Sequence, residues 1–247
     1  MERPRMILFD YGGTLMYEQN FDRRKGNAAL FRYIKDNPEN VTVDEFTDYF
    51  SALFDEIRAL RGELIEIHET YLLRFALEHF GMTLAAPFEH TEAAIFDAIT
   101  ESHMVPHADE MLGYLRENGI RTGVVSNLCW SGGALSRRLC ETFPDHRFEF
   151  IMTSSEYIFR KPDRHLFDLA VKKAGLLPGQ IWYCGNDADC DIIGAHEAGL
   201  FPVMYDNKEL PHFEKKDINR DIPEGIPHIR ISSWEELKEH LSCIRNF

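Results

Sequence analysis

From residue 104 onward, short apolar runs alternate with amphipathic helical stretches, and this alternation limits the possible folds more than any other feature. A strand, a helix and a second strand in succession form a right-handed crossover, which places the two strands parallel. Repeated units of this kind build a doubly wound α/β sheet. The predicted strands are IRTGVVSN, FEFIMTS, IWYCGN, FPVMYDN and the first residues of IRISSWEELKEHL.

A further strand, MILF, lies near the amino end, and the segment that separates it from the alternating region carries helical periodicity only. Thr42 and Glu45 form a capping box at the start of one of these helices. The sequence therefore predicts a mainly parallel, Rossmann-like core with an inserted α-helical cap domain. The core comprises residues 1–15 and 104–247, and the insertion comprises residues 16–103.

Charge and cysteine content argue against several classes of function. No apolar run approaches the ~18 residues that a membrane span needs, and the amino end lacks the apolar region of a signal peptide. The five cysteines form no C-x-x-C pair, so neither a disulfide framework nor a thiolate zinc site is indicated. A formal net charge of -14 disfavours nucleic acid, which is bound through Lys and Arg. We therefore expect a cytoplasmic protein without membrane or nucleic-acid partners.

Polar side chains stand at or just beyond the carboxyl ends of four predicted strands, the edge where doubly wound sheets bind ligands. Each has an ordinary explanation, because Asp, Ser and Asn favour turns and carboxylates favour the first turn of a helix. Together they supply a nucleophile, a hydroxyl donor, a cation and acidic metal ligands, which suit phosphoryl transfer. They are Asp10 with Thr14, Ser126 with Asn127, Lys161, and the group Asp187, Asp189 and Asp191.

The order of these clusters resembles that of the haloacid dehalogenase-like hydrolase superfamily, in the subgroup whose helical cap follows the first strand. ILFDYGGTL is similar to the first motif of that family, GVVSN to the second, RKPDRHLF to the third and YCGNDADCDIIGAHEAG to the fourth. The resemblance covers nearly the whole chain. It implies a hydrolase with its site at the carboxyl edge of the sheet.

The resemblance also implies a role for each matching residue. Asp10 is the implied nucleophile, which attacks phosphorus to form an aspartyl-phosphate, Ser126 binds the phosphoryl oxygens, and Lys161 offsets the charge repulsion. The implied cofactor is Mg²⁺, which prefers oxygen ligands. Groups at Gly12, Gly13 and Asn127 are expected to bind the substrate, and the implied metal ligands are Asp10, Gly12, Asn186, Asp187 and Asp191.

Two positions depart from the family pattern, and both affect the chemistry. The family's phosphatases usually carry a second aspartate two residues after the nucleophile, where it protonates the leaving group, but this chain has Gly12. Loss of such a group typically costs ~10²- to 10⁴-fold in rate. The first acidic position of the fourth motif is Asn186, whose amide offers only a neutral oxygen. The sequence thus indicates a slow phosphatase, one with a replacement group, or a different reaction.

A Mg²⁺-dependent hydrolase of a small organophosphate ranks first among these functions. Dehalogenase-like and phosphonatase-like enzymes also lack the second aspartate, but NDADCD is a poor surrounding for a metal-free anion reaction. Neither lysine of the insertion, Lys25 or Lys35, can be assigned as a phosphonatase Schiff-base lysine. A catalytically impaired phosphate-binding or regulatory protein is a further alternative, whereas the long insertion argues against a receiver-type signalling domain.

The insertion is expected to supply the contacts that select the substrate. Arg23 and Arg24 in FDRRKGN are the first choice, because two guanidinium groups can make forked contacts with a phosphate ester or similar anion. If a group replaces the missing acid or base, it is expected among the polar residues that could reach the cleft. Besides these two arginines they are Tyr11, Tyr17, Glu18, Arg58, Arg61 and His68.

Overall fold

The structure is a computed structural model and describes residues 2–210 and 222–244. No helix among these residues has the length and hydropathy needed to cross a bilayer. The strands are β1 (Met6–Phe9), β2 (Met16–Gln19), β3 (Ile34–Asp36), β4 (Thr83–Leu84), β5 (Glu101–Met104), β6 (Arg121–Ser126), β7 (Phe148–Thr153), β8 (Ile181–Gly185), β9 (Phe201–Tyr205) and β10 (Ile229–Ile231). The α-helices are α1 (Arg23–Phe31), α2 (Val43–Arg61), α3 (Glu69–His79), α4 (Phe88–Ile99), α5 (Ala108–Glu117), α6 (Gly132–Thr142), α7 (Ser154–Tyr157), α8 (Arg164–Ala174), α9 (Gly194–Glu197) and α10 (Trp234–Cys243), with a 3-10 turn at Pro178–Gln180 and a π-helix at Ala188–Ile193.

Six strands form one sheet in the order β10-β9-β8-β1-β6-β7, and all neighbouring pairs are parallel. The central strand β1 is fully buried, and its alternate residues enter two separate apolar clusters, one on each face. After β1, the next strands of the sheet, β6 and β7, lie on one side of it. The last three strands, β8, β9 and β10, lie on the other side. The carboxyl ends of β1 and β8 therefore lie at the switch point where such sheets bind ligands. The predicted doubly wound, parallel sheet is confirmed.

The expectation that residues 16–103 are entirely helical is wrong. β2 pairs antiparallel with β5 at the two ends of this insertion, and β3 pairs with β4 inside it. These strands are two to four residues long and find their partners far along the chain, so they leave no local periodicity to detect. The remaining residues form α1 to α4, and the capping box of Thr42 and Glu45 is present at the start of α2.

Helix α6, which has no counterpart among the predicted elements, fastens the insertion to the core through buried Arg138. One guanidinium nitrogen, Nη1, donates to Glu18 of β2 at 2.9 Å and to Ser102 of β5 at 2.8 Å. The same nitrogen donates to the Tyr11 hydroxyl at 3.0 Å, and the guanidinium lies over the ring of Phe96 in α4. Arg138 thereby holds both strands of the connecting ribbon against the core.

A second fastening joins the loop after α2 to the core segment after α7. The N–H of Glu66 donates to the carbonyl of Ile158 at 2.6 Å. The buried carboxylate of Glu66 accepts a hydrogen bond from the Ser154 hydroxyl at 2.9 Å and forms ion pairs with Arg160 and Arg61. One carboxylate from the insertion thus balances a guanidinium from each side of the boundary.

Removing the Glu66 carboxylate should destabilise the whole fold. Glu66→Ala leaves Arg61 and Arg160 without their shared counter-charge in a largely buried place, so we expect a loss of about 3 kcal/mol in the free energy of unfolding. Urea denaturation followed by circular dichroism measures this loss. Exposed Glu63 in the same loop provides the control, since Glu63→Ala should cost less than about 0.5 kcal/mol. Equal losses in the two variants would contradict the structural role of Glu66.

A third fastening lies at the first turn of α3. The N–H of Glu69 donates to the carbonyl of Cys129 at 2.8 Å, in the loop that follows β6. Burial raises the pKa of the Glu69 carboxyl to about 7, and the guanidinium of Arg23 only partly opposes this effect. The carboxyl group is therefore largely protonated in the folded protein at mildly acidic pH.

The raised pKa of Glu69 predicts a pH-dependent term in stability. A free glutamate has a pKa near ~4.3, so folding favours the protonated form, and this stabilisation is lost as pH rises from there through about 7. Glutamine does not titrate, so Glu69→Gln lacks this pH dependence. The free energy of unfolding of the variant, relative to that of the wild type, should therefore rise by roughly 3 kcal/mol from pH 4.5 to pH 8. Urea titrations across that range measure it, with exposed Glu78→Gln in the same helix as the control. Parallel curves for Glu69→Gln and the wild type would refute the assignment.

Candidate active site

The strand ends bring Asp10, Lys161 and Asp191 into direct contact. Asp10 follows β1, Lys161 lies beyond β7, and Asp191 belongs to the π-helix after β8. The Nζ atom of Lys161 lies 2.8 Å from Asp10 Oδ1 and 2.7 Å from Asp191 Oδ1. It also donates to the hydroxyl of Tyr183 at 2.7 Å. The ammonium group is thus shared between the predicted nucleophile and an acidic residue of the fourth motif.

Burial and charge act in opposite directions on this cluster. Lys161 is only 2% exposed, and burial alone would lower its pKa, but Asp10 and Asp191 outweigh burial and the net pKa is raised. Burial raises the pKa of Asp191 to about 6, although the ammonium group opposes that shift. Lys161 is therefore a permanent cation at neutral pH, placed beside the group that would attack an anionic substrate.

The side chain of Asn127 fixes the backbone of Lys161. Its Nδ2 donates to the Lys161 carbonyl at 2.9 Å, and its Oδ1 accepts from the Lys161 N–H at 2.7 Å. Both ends of the amide contact the lysine backbone, so this side chain positions Lys161, and a contact of Asn127 with the substrate stays a prediction. Tyr183 acts similarly from below, since its hydroxyl donates to the Val125 carbonyl at 2.7 Å while it accepts from Lys161.

Ser126 is available to bind a ligand. Val124 pairs with Phe9, so the parallel register places Ser126 level with the turn that follows Asp10. The side chain is 3% exposed, and its hydroxyl makes no hydrogen bond within the part of the chain that the structure describes. A hydroxyl that has no partner among the described residues is available to donate to an incoming anionic oxygen.

The two glycines after Tyr11 have different requirements. Gly13 has φ +71°, and a Cβ there would lie 2.4 Å from Nδ2 of Asn186, so both the turn and the space demand glycine. Its N–H donates to the Met16 carbonyl at 2.6 Å, which leaves that group unavailable for the predicted substrate contact. A Cβ on Gly12 would meet nothing within 4 Å, so open space lies beside this residue.

The oxygen atoms near this turn fit a hard cation such as Mg²⁺. Asp10 Oδ1 is buried and accepts no hydrogen bond of good geometry from the residues that the structure describes, although Lys161 Nζ lies close to it. The side chain of Asn186 lies against Gly13, and its Oδ1 is 3.4 Å from the hydroxyl of Thr14. A carboxylate, the backbone carbonyl of Gly12 and an amide oxygen are all ligand types that Mg²⁺ accepts.

The acidic residues of the fourth motif are engaged in other contacts. Asp191 Oδ2 accepts the N–H groups of Asn186 and Asp187 at 3.0 and 2.9 Å, while its Oδ1 faces Lys161. Asp187 Oδ1 accepts the N–H of Cys190 at 2.7 Å. Among the residues described, no three His, Cys, Asp or Glu side chains form a group that could hold a metal. Both aspartates shape the loop, and their role as direct metal ligands stays a prediction.

The two arginines proposed for substrate contact lie in different places. Arg24 is exposed and pairs with Asp44 at the start of α2, so the structure does not bring it to the site. Arg23 lies at the boundary with the core, where its guanidinium is 3.5 Å from Glu69 and 4.4 Å from the ring centroid of Phe54. Of the two arginines, only Arg23 lies near the loop after β6, because its partner Glu69 contacts Cys129 in that loop.

The other polar candidates are mostly engaged away from Asp10. Tyr11 and Glu18 belong to the Arg138 network, Tyr17 stacks on His103, and His68 caps α3 and faces Glu92. Arg58 and Arg61 line a groove of about 890 Å³ between the end of α2 and the loops that carry Lys161 and Asp187. Sequence reasoning missed Arg160, which lines the same groove.

Residues 4–199 match the family model described as haloacid dehalogenase-like hydrolase. Among curated proteins, the ribulose-1,5-bisphosphate 5-phosphatase of Halopiger xanaduensis is 27% identical over 212 residues. This alignment covers 82% of the present chain and 85% of the relative. Sequence similarity therefore extends through the insertion as well as the core.

Two solved structures share the fold. A HAD phosphatase from Thermococcus onnurineus aligns over 100% of both chains with a TM-score of 0.59 and 17% identity. The 2-haloacid dehalogenase from Pseudomonas syringae pv. Tomato DC3000 aligns over 98% of this chain and 99% of its own, with a TM-score of 0.59 and 20% identity. The fold alone does not select between the two reactions. By the match of its sequence to the family model, the chain belongs to the haloacid dehalogenase-like hydrolase family.

Proposed function

We propose that this hydrolase is a phosphatase that cleaves a small organophosphate through an aspartyl-phosphate on Asp10. The observation that carries the proposal is the buried ammonium of Lys161, held between Asp10 and Asp191. A cation in that position lowers the cost of bringing a phosphate dianion to a carboxylate nucleophile. The relative named as a ribulose-1,5-bisphosphate 5-phosphatase supports phosphate release as the reaction.

The first step forms a bond between a carboxylate oxygen of Asp10 and phosphorus, while the bond from phosphorus to the leaving group breaks. Lys161 balances the negative charge that gathers around the phosphoryl group, and the free hydroxyl of Ser126 donates to one of its oxygens. Asn127 and Tyr183 keep the ammonium group in place during this step. Water then attacks phosphorus, which releases inorganic phosphate and restores Asp10.

A magnesium ion would be held by Asp10, the Gly12 carbonyl and Asn186, and when bound it would supply further neutralisation of the phosphoryl oxygens. We propose that residues 16–103 act as a cap over this cleft. The groove beside α2, bordered by Arg58, Arg61 and Arg160, gives an anionic substrate a path toward Lys161.

A second candidate is a hydrolase that breaks a carbon–halogen or carbon–phosphorus bond. The observation in its favour is Gly12, because a halide ion leaves without needing a proton. For a carbon–halogen bond the same nucleophile would attack carbon and expel halide, and for a carbon–phosphorus bond it would attack phosphorus while the carbon fragment leaves. Halide release from a 2-haloacid, or phosphate release from a phosphonate but not from a phosphate ester, separates this candidate from the phosphatase.

Asp10→Asn should abolish phosphate release from 4-nitrophenyl phosphate, because an amide oxygen cannot serve as the nucleophile. We expect a loss of at least ~10³-fold in kcat/KM, and chelation by EDTA followed by added Mg²⁺ should remove and restore wild-type activity. Asp168→Asn on the surface of α8 is the matched control and should retain full activity. Phosphate release that persists in Asp10→Asn would contradict the proposed mechanism. Halide release without phosphate release would favour the second candidate.

A further inference from the structure

Among the residues that the structure describes, no side chain fills the space beside Gly12, where a group could otherwise protonate a leaving oxygen. A side chain at this position would meet nothing within 4 Å, and its backbone is not in the left-handed region, so the space is open to a substrate. Besides Asp10, the titratable groups described at this edge of the sheet include Lys161 and Asp191. The ammonium of Lys161 already faces Asp10, Asp191 and Tyr183, and both oxygens of Asp191 are occupied.

The buried acids of the insertion are engaged elsewhere. Glu66 is held by Ser154 and two arginines, and Glu92 accepts from the backbone and hydroxyl of Ser131. The Glu69 carboxylate lies 3.5 Å from Arg23, and its N–H donates to the Cys129 carbonyl. The phenol of Tyr11 belongs to the Arg138 network. None of these groups is directed at the open space beside Gly12.

Without a proton donor, the bond to the leaving group must break with both electrons moving onto the leaving oxygen, which departs as an anion. The rate then depends on how stable that anion is. Resting on the proposed phosphatase function, we infer that the substrates are phosphates of weakly basic leaving groups, above all acyl phosphates. Phosphate esters of simple alcohols, whose alkoxides are strongly basic, are poor substrates for this site.

The atoms balance without a further reactant. Asp10 gains the phosphoryl group and the substrate releases a carboxylate, so no proton moves in the first step. In the second step water attacks phosphorus, the bond to Asp10 breaks, and the proton of water is lost to the solvent as phosphate forms. Acetyl phosphate therefore yields acetate and inorganic phosphate.

The test compares kcat/KM for acetyl phosphate, 4-nitrophenyl phosphate, phenyl phosphate and glycerol phosphate, because kcat/KM reports the first irreversible step. For the wild type we expect a fall on the order of 10²- to 10⁴-fold from acetyl phosphate to glycerol phosphate, the usual contribution of a general acid. Gly12→Asp places a carboxyl group in the open space and should flatten the series by raising the rates of the poorest esters. Gly12→Asn has the same shape without the acid and should keep the steep series.

Each outcome decides between the proposals. A steep wild-type series that only Gly12→Asp flattens supports the inference. Phosphate release with similar kcat/KM for all four compounds overturns the inference and leaves the proposed phosphatase standing. A steep series that persists in folded Gly12→Asp overturns the assignment of the missing proton to this position. No phosphate release from any compound overturns the phosphatase proposal and the inference together.

Discussion

The ammonium group of Lys161 is buried between two carboxylates and a phenol, and the arrangement of the whole carboxyl edge follows from this contact. An isolated buried charge costs several kcal/mol, so it persists only where its partners are fixed. Those partners come from separate places in the chain, since Asp10 follows β1 and Tyr183 lies in β8. The strand order places them together, and Asn127 after β6 then fixes the lysine backbone.

The insertion contributes to the geometry of this site through the loop that precedes Lys161. Ile158 in that loop has φ +70°, a strained conformation for a β-branched residue. Strain of this kind persists only when the surroundings determine it. Here the N–H of Glu66 binds the Ile158 carbonyl and its carboxylate pairs with Arg160. The loop of the insertion that carries Glu66 therefore holds the core segment that leads directly to Lys161.

Much of the site was predictable because alternation along the sequence fixes which strand ends share an edge. Strand alternation predicts that Lys161, Asp10 and Asp191 lie at the same edge of the sheet, and in the structure they are in contact. The sequence could not reveal that Asn127 uses both ends of its amide on the lysine backbone, because its pattern is that of an ordinary turn residue. The role of Tyr183 was equally hidden, since a tyrosine within an apolar strand is typical of a core position.

The elements that were missed depend on contacts between distant segments. The β2–β5 ribbon pairs residues that lie 82 to 88 positions apart, so neither strand carries a local signal strong enough to predict it. Arg24 illustrates the reverse error, because its neighbour Arg23 lies at the boundary while Arg24 turns to Asp44 on the surface. Successive residues of a helix point in different directions, and the sequence did not fix the rotation of α1.

The ribbon also shows how the insertion depends on the core. Val105 donates to the carbonyl of Leu15 at 3.0 Å, so the chain leaves the core and returns to it at one point, and a short turn could close the gap. However, within the described residues every carboxylate paired with Arg138 or Arg160 belongs to the insertion. The insertion joins the core at one place along the chain, but its carboxylates neutralise arginines that belong to the core. An exchange of the insertion for another is therefore limited by the balance of buried charges before it is limited by the length of the chain.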